Sequence, residues 1–217
     1  GPPFDVVVFD EASQVPVWDA VGAIGRGRSL VVVGDSRQLP PTQFFHRLDG
    51  EGDAEPVDEV EELESVLDEC TAAGLERLHL RWHYRSRHES LIAFSNHHYY
   101  QNRLLTFPSP EAGAAGLGVR CVRVNGVYER AGSQQNPIEA EALCNEVLAR
   151  LLDPLRCQQS LGVVTFSQAQ QVLIENRLDQ ARRERPEVEA AWHAASEPVF
   201  VKNLENVQGD ERDVILF

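Results

Sequence analysis

The sequence has no methionine, only four cysteines and no long apolar segment. No apolar stretch approaches the roughly 20 residues that a transmembrane helix needs, and no signal peptide is visible. The cysteines include no Cys-x-x-Cys pair, and the spacing of the histidines at 83, 88, 97 and 98 fits no known zinc arrangement. We therefore expect reduced thiols, no zinc site, no membrane contact and a cytoplasmic location.

Basic residues are also scarce. The chain carries 20 Lys and Arg against 34 Asp and Glu, a formal net charge of −14, which is unfavourable for binding nucleic acid because phosphate attraction dominates that affinity. However, eleven of the acidic residues and no basic residue lie between 49 and 69, and without them the net charge would be −3. We interpret this segment as a solvated linker that becomes a helix from 57 to about 73. The alternative is a gate that repels nucleic acid.

What is present begins with Phe4 and Asp5 and a solid apolar run, residues 6–9, that ends in Asp10 and Glu11. A run without alternation predicts a strand buried on both faces, as in a parallel sheet. Ligands of such sheets bind beyond the carboxyl ends of the strands. One carboxylate could hold a water-coordinated Mg²⁺ and the other could take a proton from an attacking water. The alternative is that both residues cap a helix or form a turn.

A second predicted strand, residues 30–33, runs into Gly34 and Asp35, followed by Gln38 and two prolines. Glycine permits a tight turn at the end of the strand. The amide of Gln38 has both a donor and an acceptor, so it could touch a terminal phosphate and orient the water beside it. Otherwise Gln38 is a polar residue of a surface turn.

Two further blocks follow in order. Residues 78–104 read LHLRWHYRSRHESLIAFSNHHYYQNRL, and residues 201–217 read VKNLENVQGDERDVILF. Together with the first two, these four ordered blocks resemble superfamily 1 helicases, class B, in the branch typified by the nonsense-mediated-decay RNA helicase. The resemblance implies an α/β fold with two RecA-like domains, each a parallel sheet flanked by helices, and ATP between them.

The resemblance assigns roles to the nucleotide-facing positions. Asp10 would hold Mg²⁺ through water, Glu11 would be the catalytic base, Gln38 would sense the γ-phosphate, and Arg85 would be an arginine finger. Asp35, Gly209 and Glu211 would also bind the nucleotide. Without the resemblance, Arg85 would be expected to pair with a carboxylate.

The resemblance also implies contacts with nucleic acid. These would be made by Ser167 and Gln168 and, in the late block, by Val207 and Gln208. Ser167 fits equally well as a helix cap. We interpret Trp82 and Tyr84 as core aromatics rather than base-stacking platforms. Glu205 and Asp213 are interpreted as turn caps rather than ligand contacts.

The second half contains clear secondary-structure signals. Residues 119–124 alternate and predict a strand, and residues 160–166 predict a buried strand. Asn136 and Pro137 predict the start of a helix that runs to about 152. Ser167 is placed to cap a helix over 168–185. We divide the chain into a partial first domain (1–47), an acidic linker (48–76) and a second domain (77–217).

No Gly-x-x-x-x-Gly-Lys-Ser/Thr motif occurs, so the sequence has no phosphate-cradling loop. The family's final motif is also absent. We therefore expect a piece of a longer helicase or translocase that uses ATP and Mg²⁺, moves on single-stranded DNA or RNA (DNA slightly favoured), and is inactive without the rest of its chain. The alternatives are an ATP-dependent nucleoprotein switch and a scaffold that has lost its catalytic chemistry.

Overall fold

The computed structural model describes residues 3–38, 65–108, 117–204 and 206–217. The chain divides into two compact units, Gly1–Cys121 and Val122–Phe217. Every pairing between the strands described is parallel, which agrees with the predicted α/β class. The predicted boundaries at 47 and 76 stay a prediction, because most of the linker between them lies outside the described residues.

The first unit is built around a pair of parallel strands, β1 and β2. Val8 lies beside Val31 and Phe9 beside Val32. In chain order its elements are β1 (Phe4–Phe9), a 3₁₀ turn (Ala12–Gln14), α1 (Val17–Ile24), β2 (Gly27–Val32), α2 (Val66–Ala72), β3 (Trp82–His83), α3 (Ser90–His98) and β4 (Leu105–Thr106). The helix predicted from 57 to about 73 is wrong at residue 65: Ser65 is extended and its side chain caps helix α2, which starts at Val66. Residues 57–64 are outside the described residues.

The prediction that β1 is buried on both faces is wrong. Phe4, Val6 and Val8 are 53%, 52% and 60% exposed, whereas Val7 and Phe9 are half-buried. Successive side chains of a strand point to opposite faces, so one face of β1 is partly covered and the other is not covered by the described residues. Strand β2 shows the same pattern, with Val31 45% exposed, so its predicted burial is also wrong.

The prediction that Trp82 and Tyr84 belong to the core is also wrong. Trp82 is 58% exposed and Tyr84 is 82% exposed. Strands β3 and β4 are two residues each, which is too short to carry a layer of core side chains. Trp82 instead stacks on Phe107, with ring centroids 5.1 Å apart.

The second unit is a three-stranded parallel sheet with helices packed on it. Strand β5 is central, between β6 and β7, and all five of its residues are buried. The elements are α4 (Pro137–Leu152), a 3₁₀ turn (Arg156–Gln158), β5 (Leu161–Thr165), α5 (Gln168–Glu184), α6 (Pro186–Ala194), β6 (Phe200–Asn203) and β7 (Val214–Leu216). The prediction of a buried strand within 160–166 is confirmed.

Both long helices of this unit begin where their capping residues predict. The side chain of Asn136 accepts from the backbone N–H of Glu139 at the start of α4, and Pro137 is the first helical residue. The side chain of Ser167 accepts from the N–H of Gln170 at the start of α5. The predicted helices 137–152 and 168–185 are thus confirmed to within one residue.

The core of the second unit lies between β5 and helices α4 and α5. Val163 and Ile174 have no exposed surface, and Leu178 is 2% exposed. Gly162 sits where the sheet is tightest. A Cβ atom at that position would approach Phe200 Cζ to 2.4 Å and Ile215 Cδ1 to 2.9 Å. Only glycine therefore lets the flanking strands place these side chains over β5.

Two further predictions are corrected: the strand over residues 119–124 and the role of Asp213 as a turn cap. Residues 119–124 do not form a strand, and Val119 and Val122 are exposed. Alternation alone is insufficient because a strand needs a partner ladder, and the N–H of Val119 instead donates to the hydroxyl of Ser90. The carboxylate of Asp213 accepts from the N–H and the hydroxyl of Ser160, 53 residues away in the sequence. Asp213 therefore does more than cap a turn, because these bonds fix β7 beside β5. Glu205 lies outside the described residues.

Gln170 joins the starts of the two long helices. Its side chain accepts from the buried N–H of Asn136 at 2.8 Å and donates to the Asn136 carbonyl at 3.2 Å. Gln170→Ala would leave the buried N–H of Asn136 unpaired, while the Asn136 carbonyl would still accept from the N–H of Ala140. We therefore expect the free energy of unfolding to fall by about 2 kcal/mol in urea titrations. Gln168→Ala, at the exposed neighbouring position, should change it by less than about 0.5 kcal/mol. Equal effects of the two substitutions would contradict this role.

Candidate functional site

Asp10 and Glu11 directly follow β1, at its carboxyl end. Both side chains are exposed, and the N–H of Glu11 donates to Asp10 Oδ1 at 3.0 Å. The chain then bends back toward the neighbouring strand, because the N–H of Ala12 donates to the carbonyl of Val33 at 2.9 Å. The two carboxylates are thus held at one end of the β1–β2 pair.

Glu11 has a left-handed backbone, with φ 51° and ψ 38°. This conformation costs a non-glycine residue about 1–3 kcal/mol and persists only where the surroundings enforce it. It caps the 3₁₀ turn Ala12–Gln14, in which Ala12 and Ser13 are buried. The buried turn therefore fixes the direction in which the Glu11 side chain leaves the strand end.

Gly34 brings the end of β2 against the same turn. A Cβ atom on Gly34 would lie 3.0 Å from the backbone nitrogen of Ser13 and 3.1 Å from that of Ala12. Glycine therefore permits the two strand ends to approach this closely. The hydroxyl of Ser13 is buried here and has no hydrogen-bond partner among the described residues. Asp35, the next residue, therefore lies at the same end of the β1–β2 pair as Asp10 and Glu11.

Asp35 organises the turn that carries Gln38. Its Oδ1 accepts from the N–H of Arg37 at 2.9 Å, and its carbonyl accepts from the N–H of Gln38 at 3.1 Å. Its Oδ2 accepts from the hydroxyl of Tyr100 at 2.5 Å. Burial, together with the hydrogen bond to Asp35, raises the pKa of Tyr100 to about 12. Tyr100 therefore stays protonated and acts as a donor at neutral pH.

Arg85 lies in the first unit, on an exposed loop between β3 and α3. The loop is braced by its own side chains. His83 Nε2 accepts from the N–H of Ser86 at 3.3 Å and lies 2.7 Å from the Ser86 hydroxyl. Because Nε2 already accepts one hydrogen bond, the hydroxyl donates to it and the ring proton is on Nδ1. The brace fixes the backbone on both sides of Arg85.

The late block forms a turn between β6 and β7. Gly209 has φ 85°, a left-handed conformation that favours glycine. Lys202 donates to Asp210 across the turn. Arg212 pairs with Glu197 at 2.9 Å and lies over the ring of Phe200, so this basic residue is structural. The predicted contact residues Val207, Gln208 and Glu211 all lie in this turn or directly after it.

A cavity of about 580 Å³ opens at the carboxyl end of β5. Three aromatic residues line it: Tyr128, Phe166 and Phe217. The rings of Phe166 and Phe217 are tilted by 37° with centroids 6.2 Å apart, and both are largely exposed. Ser167 also lines the cavity, and its hydroxyl donates to the carbonyl of Gln134 while capping α5. Gln168 is exposed at the start of that helix.

Comparison with known proteins identifies the family. Residues 63–217, more than half of the chain, match the family described as AAA domain. The chain belongs to the AAA domain family. The matched part of this AAA domain contains the loop of Arg85, the whole second unit with its aromatic cavity, and the late block; Asp10, Glu11 and Gln38 precede it.

Two relatives match nearly the whole chain. One is named "Uncharacterized ATP-dependent helicase MG140 homolog", from Mycoplasma pneumoniae, 34% identical over 99% of this chain. The other is "Uncharacterized ATP-dependent helicase MG140" from Mycoplasma genitalium, also 34% identical over 99% of this chain. "Uncharacterized ATP-dependent helicase MJ0104" from Methanocaldococcus jannaschii is 33% identical over 46% of the chain, which is 13% of that relative. The chain spans about a fifth of the length of the two Mycoplasma relatives.

Sequence reasoning did not identify every residue of this arrangement. Tyr100 lies in the block 78–104, but no local pattern assigns it a role, because its contact with Asp35 joins positions 65 residues apart. The aromatic cavity was not predicted either, although Phe166 directly precedes Ser167.

Within the described ranges, no helix of the AAA domain chain is long and apolar enough to cross a membrane.

Proposed function

We propose that the chain is part of an ATP-dependent superfamily 1 helicase or translocase that couples ATP hydrolysis to movement on single-stranded nucleic acid. The observation that carries this proposal is the placement of Asp10 and Glu11 at the end of β1, with Asp35 just beyond the same end of its parallel partner β2. The family and the names of the Mycoplasma relatives support it. In this proposal the domains are RecA-like.

Each predicted residue keeps a specific role in the proposal. Glu11 takes the proton of the attacking water, and Gln38 contacts the terminal phosphate and orients that water. Arg85 neutralises charge that develops in the transition state. Gly209 and Glu211 contact the nucleotide from the turn before β7, where left-handed Gly209 lets the backbone approach the ligand closely.

The residues at the strand ends fit Mg²⁺. Carboxylates are the hard oxygen ligands that this ion takes, and Mg²⁺ usually combines one or two of them with water and substrate phosphates. Among the described residues, no group of three His, Cys, Asp or Glu side chains could hold a metal ion by itself. The unpaired hydroxyl of Ser13 beside these carboxylates is a further oxygen that a bound ligand could satisfy. When bound, Mg²⁺ would neutralise phosphate charge, and Asp10 would hold it through water.

Nucleic acid would contact the second unit at the aromatic cavity and at the late turn. Ser167 and Gln168 would contact the backbone of the strand at the cavity, and Val207 and Gln208 would do so at the turn. The hydroxyl of Ser167 is already engaged as a cap, so its contact would come from its remaining lone pair or from its backbone. The exposed ring of Phe166 offers a face on which a base can stack.

Phe166→Ala should weaken binding of a single strand by about tenfold, because stacking on one aromatic ring contributes about 1–3 kcal/mol per base. The measurement is fluorescence anisotropy with a labelled oligonucleotide and with an abasic strand of the same length. We expect the loss only with the strand that has bases. Leu155→Ala, at an exposed apolar position outside the cavity, is the control. An equal loss with both strands would contradict stacking.

Phosphate release by the full-length protein, with and without single-stranded DNA and RNA, tests the proposed function. We expect hydrolysis that a single strand stimulates, and the more effective strand identifies the substrate. Absence of hydrolysis under every condition would favour the scaffold that has lost its chemistry. Hydrolysis without strand separation in a displacement assay would favour the nucleoprotein switch.

A further inference from the structure

The hydrogen bond between Tyr100 and Asp35 links two blocks of the first unit that are distant in sequence. The phenol hydroxyl donates to Asp35 Oδ2 at 2.5 Å, and Tyr100 is half-buried. Asp35 belongs to the turn that carries Gln38, whereas Tyr100 follows helix α3 in the block that contains Arg85. A contact of this kind couples the position of the turn that carries Gln38 to the position of the block that contains Arg85.

The position of Tyr100 is fixed because hydrogen bonds hold both its backbone N–H and its carbonyl. Its N–H donates to the carbonyl of Ser95 at 3.2 Å, and its carbonyl accepts from the N–H of Arg103 at 2.9 Å. The next two residues, Gln101 and Asn102, are both left-handed and turn the chain back toward β4. The side chain of Asn96 then pairs with both backbone groups of Leu104, each at 3.0 Å. The phenol ring therefore projects from a turn whose backbone is held in place by these hydrogen bonds.

At the other end of the contact, Asp35 determines the shape of the phosphate-sensing turn. One carboxylate oxygen accepts from Arg37 and the other from Tyr100, while the Asp35 carbonyl accepts from Gln38. Rotation of the Asp35 side chain would break the first of these bonds and leave the backbone bond from Gln38 as the only one of the three within the turn. Tyr100 opposes that rotation by holding the second oxygen.

We infer that Tyr100 is a positioning residue for ATP hydrolysis, which acts through Asp35 to hold the turn of Gln38 in its productive place. The inference rests on the proposed function, in which Gln38 contacts the terminal phosphate. In this inference Tyr100 acts on the turn and not on the nucleotide itself. Misplacement of a catalytic group by about 1 Å can cost about 100-fold in rate, so loss of one supporting hydrogen bond should have a measurable effect.

The variant Tyr100→Phe in the full-length protein removes only the hydroxyl. We expect kcat for ATP hydrolysis to fall about tenfold with KM for ATP within about twofold, because the turn is misplaced mainly in the transition state. The melting temperature should change little, and Tyr99→Phe, which removes the hydroxyl of the exposed neighbouring tyrosine, should leave kcat unchanged. A residue with only a structural role would lower the melting temperature and leave kcat of the folded protein intact.

Amide hydrogen exchange provides a readout that does not depend on activity. In Tyr100→Phe, the amides of Arg37 and Gln38 should exchange about fivefold faster or more, whereas the amide of Ala12, which donates to Val33, should be unchanged. Asp35→Asn combined with Tyr100→Phe should lower kcat no further than Asp35→Asn alone.

The outcomes separate the inference from the proposed function. Unchanged exchange at Arg37 and Gln38 overturns the inference whatever the protein hydrolyses. Faster exchange with unchanged kcat, in a protein whose activity depends on Glu11, also overturns it and leaves the proposed function standing. Faster exchange in a protein without hydrolysis overturns both, because a positioning role in hydrolysis requires hydrolysis.

Discussion

Glu11→Gln in the full-length protein should preserve ATP binding and reduce turnover by at least about 100-fold. The amide has nearly the shape of the carboxylate but cannot take a proton from water, and a general base typically contributes about 10²–10⁴ in rate. That loss corresponds to about 2.7 kcal/mol or more of transition-state stabilisation. Glutamine tolerates the left-handed backbone no better than glutamate, so the strain at this position is unchanged.

The measurement pairs phosphate release with binding of a fluorescent ATP analogue. Asp19→Asn is the matched control, because it makes the same carboxylate-to-amide change in the first turn of α1, at an exposed position of the same unit. It should alter neither quantity. Turnover that persists in Glu11→Gln would remove Glu11 as the base, and loss of ATP binding would indicate a ligand contact instead.

The elements that could be predicted from the sequence are those set by local chemistry. Asn136 and Ser167 satisfy backbone N–H groups three residues further along the chain, so the start of each long helix is specified by neighbouring residues alone. The central strand Leu161–Thr165 was predictable for a related reason, because five consecutive residues without alternation suit burial on both faces.

Burial in the first unit could not be predicted in this way, because it depends on what covers each face. Apart from Asp5, strand Phe4–Phe9 is as apolar as the central strand of the second unit, yet the described residues leave one of its faces exposed. Trp82 is apolar enough for a core, but it lies on a two-residue strand and is 58% exposed. Residues 119–124 alternate correctly, but no strand in the described part of the chain pairs with them.

For the candidate site, the sequence predicts which residues follow the strand ends but not how they are held. Asp10 and Glu11 follow from the end of an apolar run. The left-handed backbone of Glu11, the close approach at Gly34 and the bond from Tyr100 to Asp35 are tertiary features. They require two segments to meet, and no local pattern encodes the meeting of residues 35 and 100. The roles of the site residues therefore stay predictions that mutants must test.

Arg85→Ala should slow hydrolysis far more than it weakens ATP binding. An arginine that neutralises charge appearing mainly in the transition state contributes about 10³–10⁵ in rate, or about 4 kcal/mol or more. ATP affinity should fall by less than about tenfold, because the ground state has less charge at that position. The brace between His83 and Ser86 does not involve the Arg85 side chain, so the loop should keep its shape.

Single-turnover hydrolysis at saturating ATP, with ATP affinity measured separately, tests this expectation. Arg85→Lys separates charge from geometry: if the planar guanidinium is needed, lysine should restore only a small part of the rate. Arg77→Ala removes the same charge from an exposed loop position of the same unit and should leave the rate unchanged. Equal losses of rate and affinity in Arg85→Ala would indicate that Arg85 supports the fold or the ground-state complex, and the arginine-finger role would then be wrong.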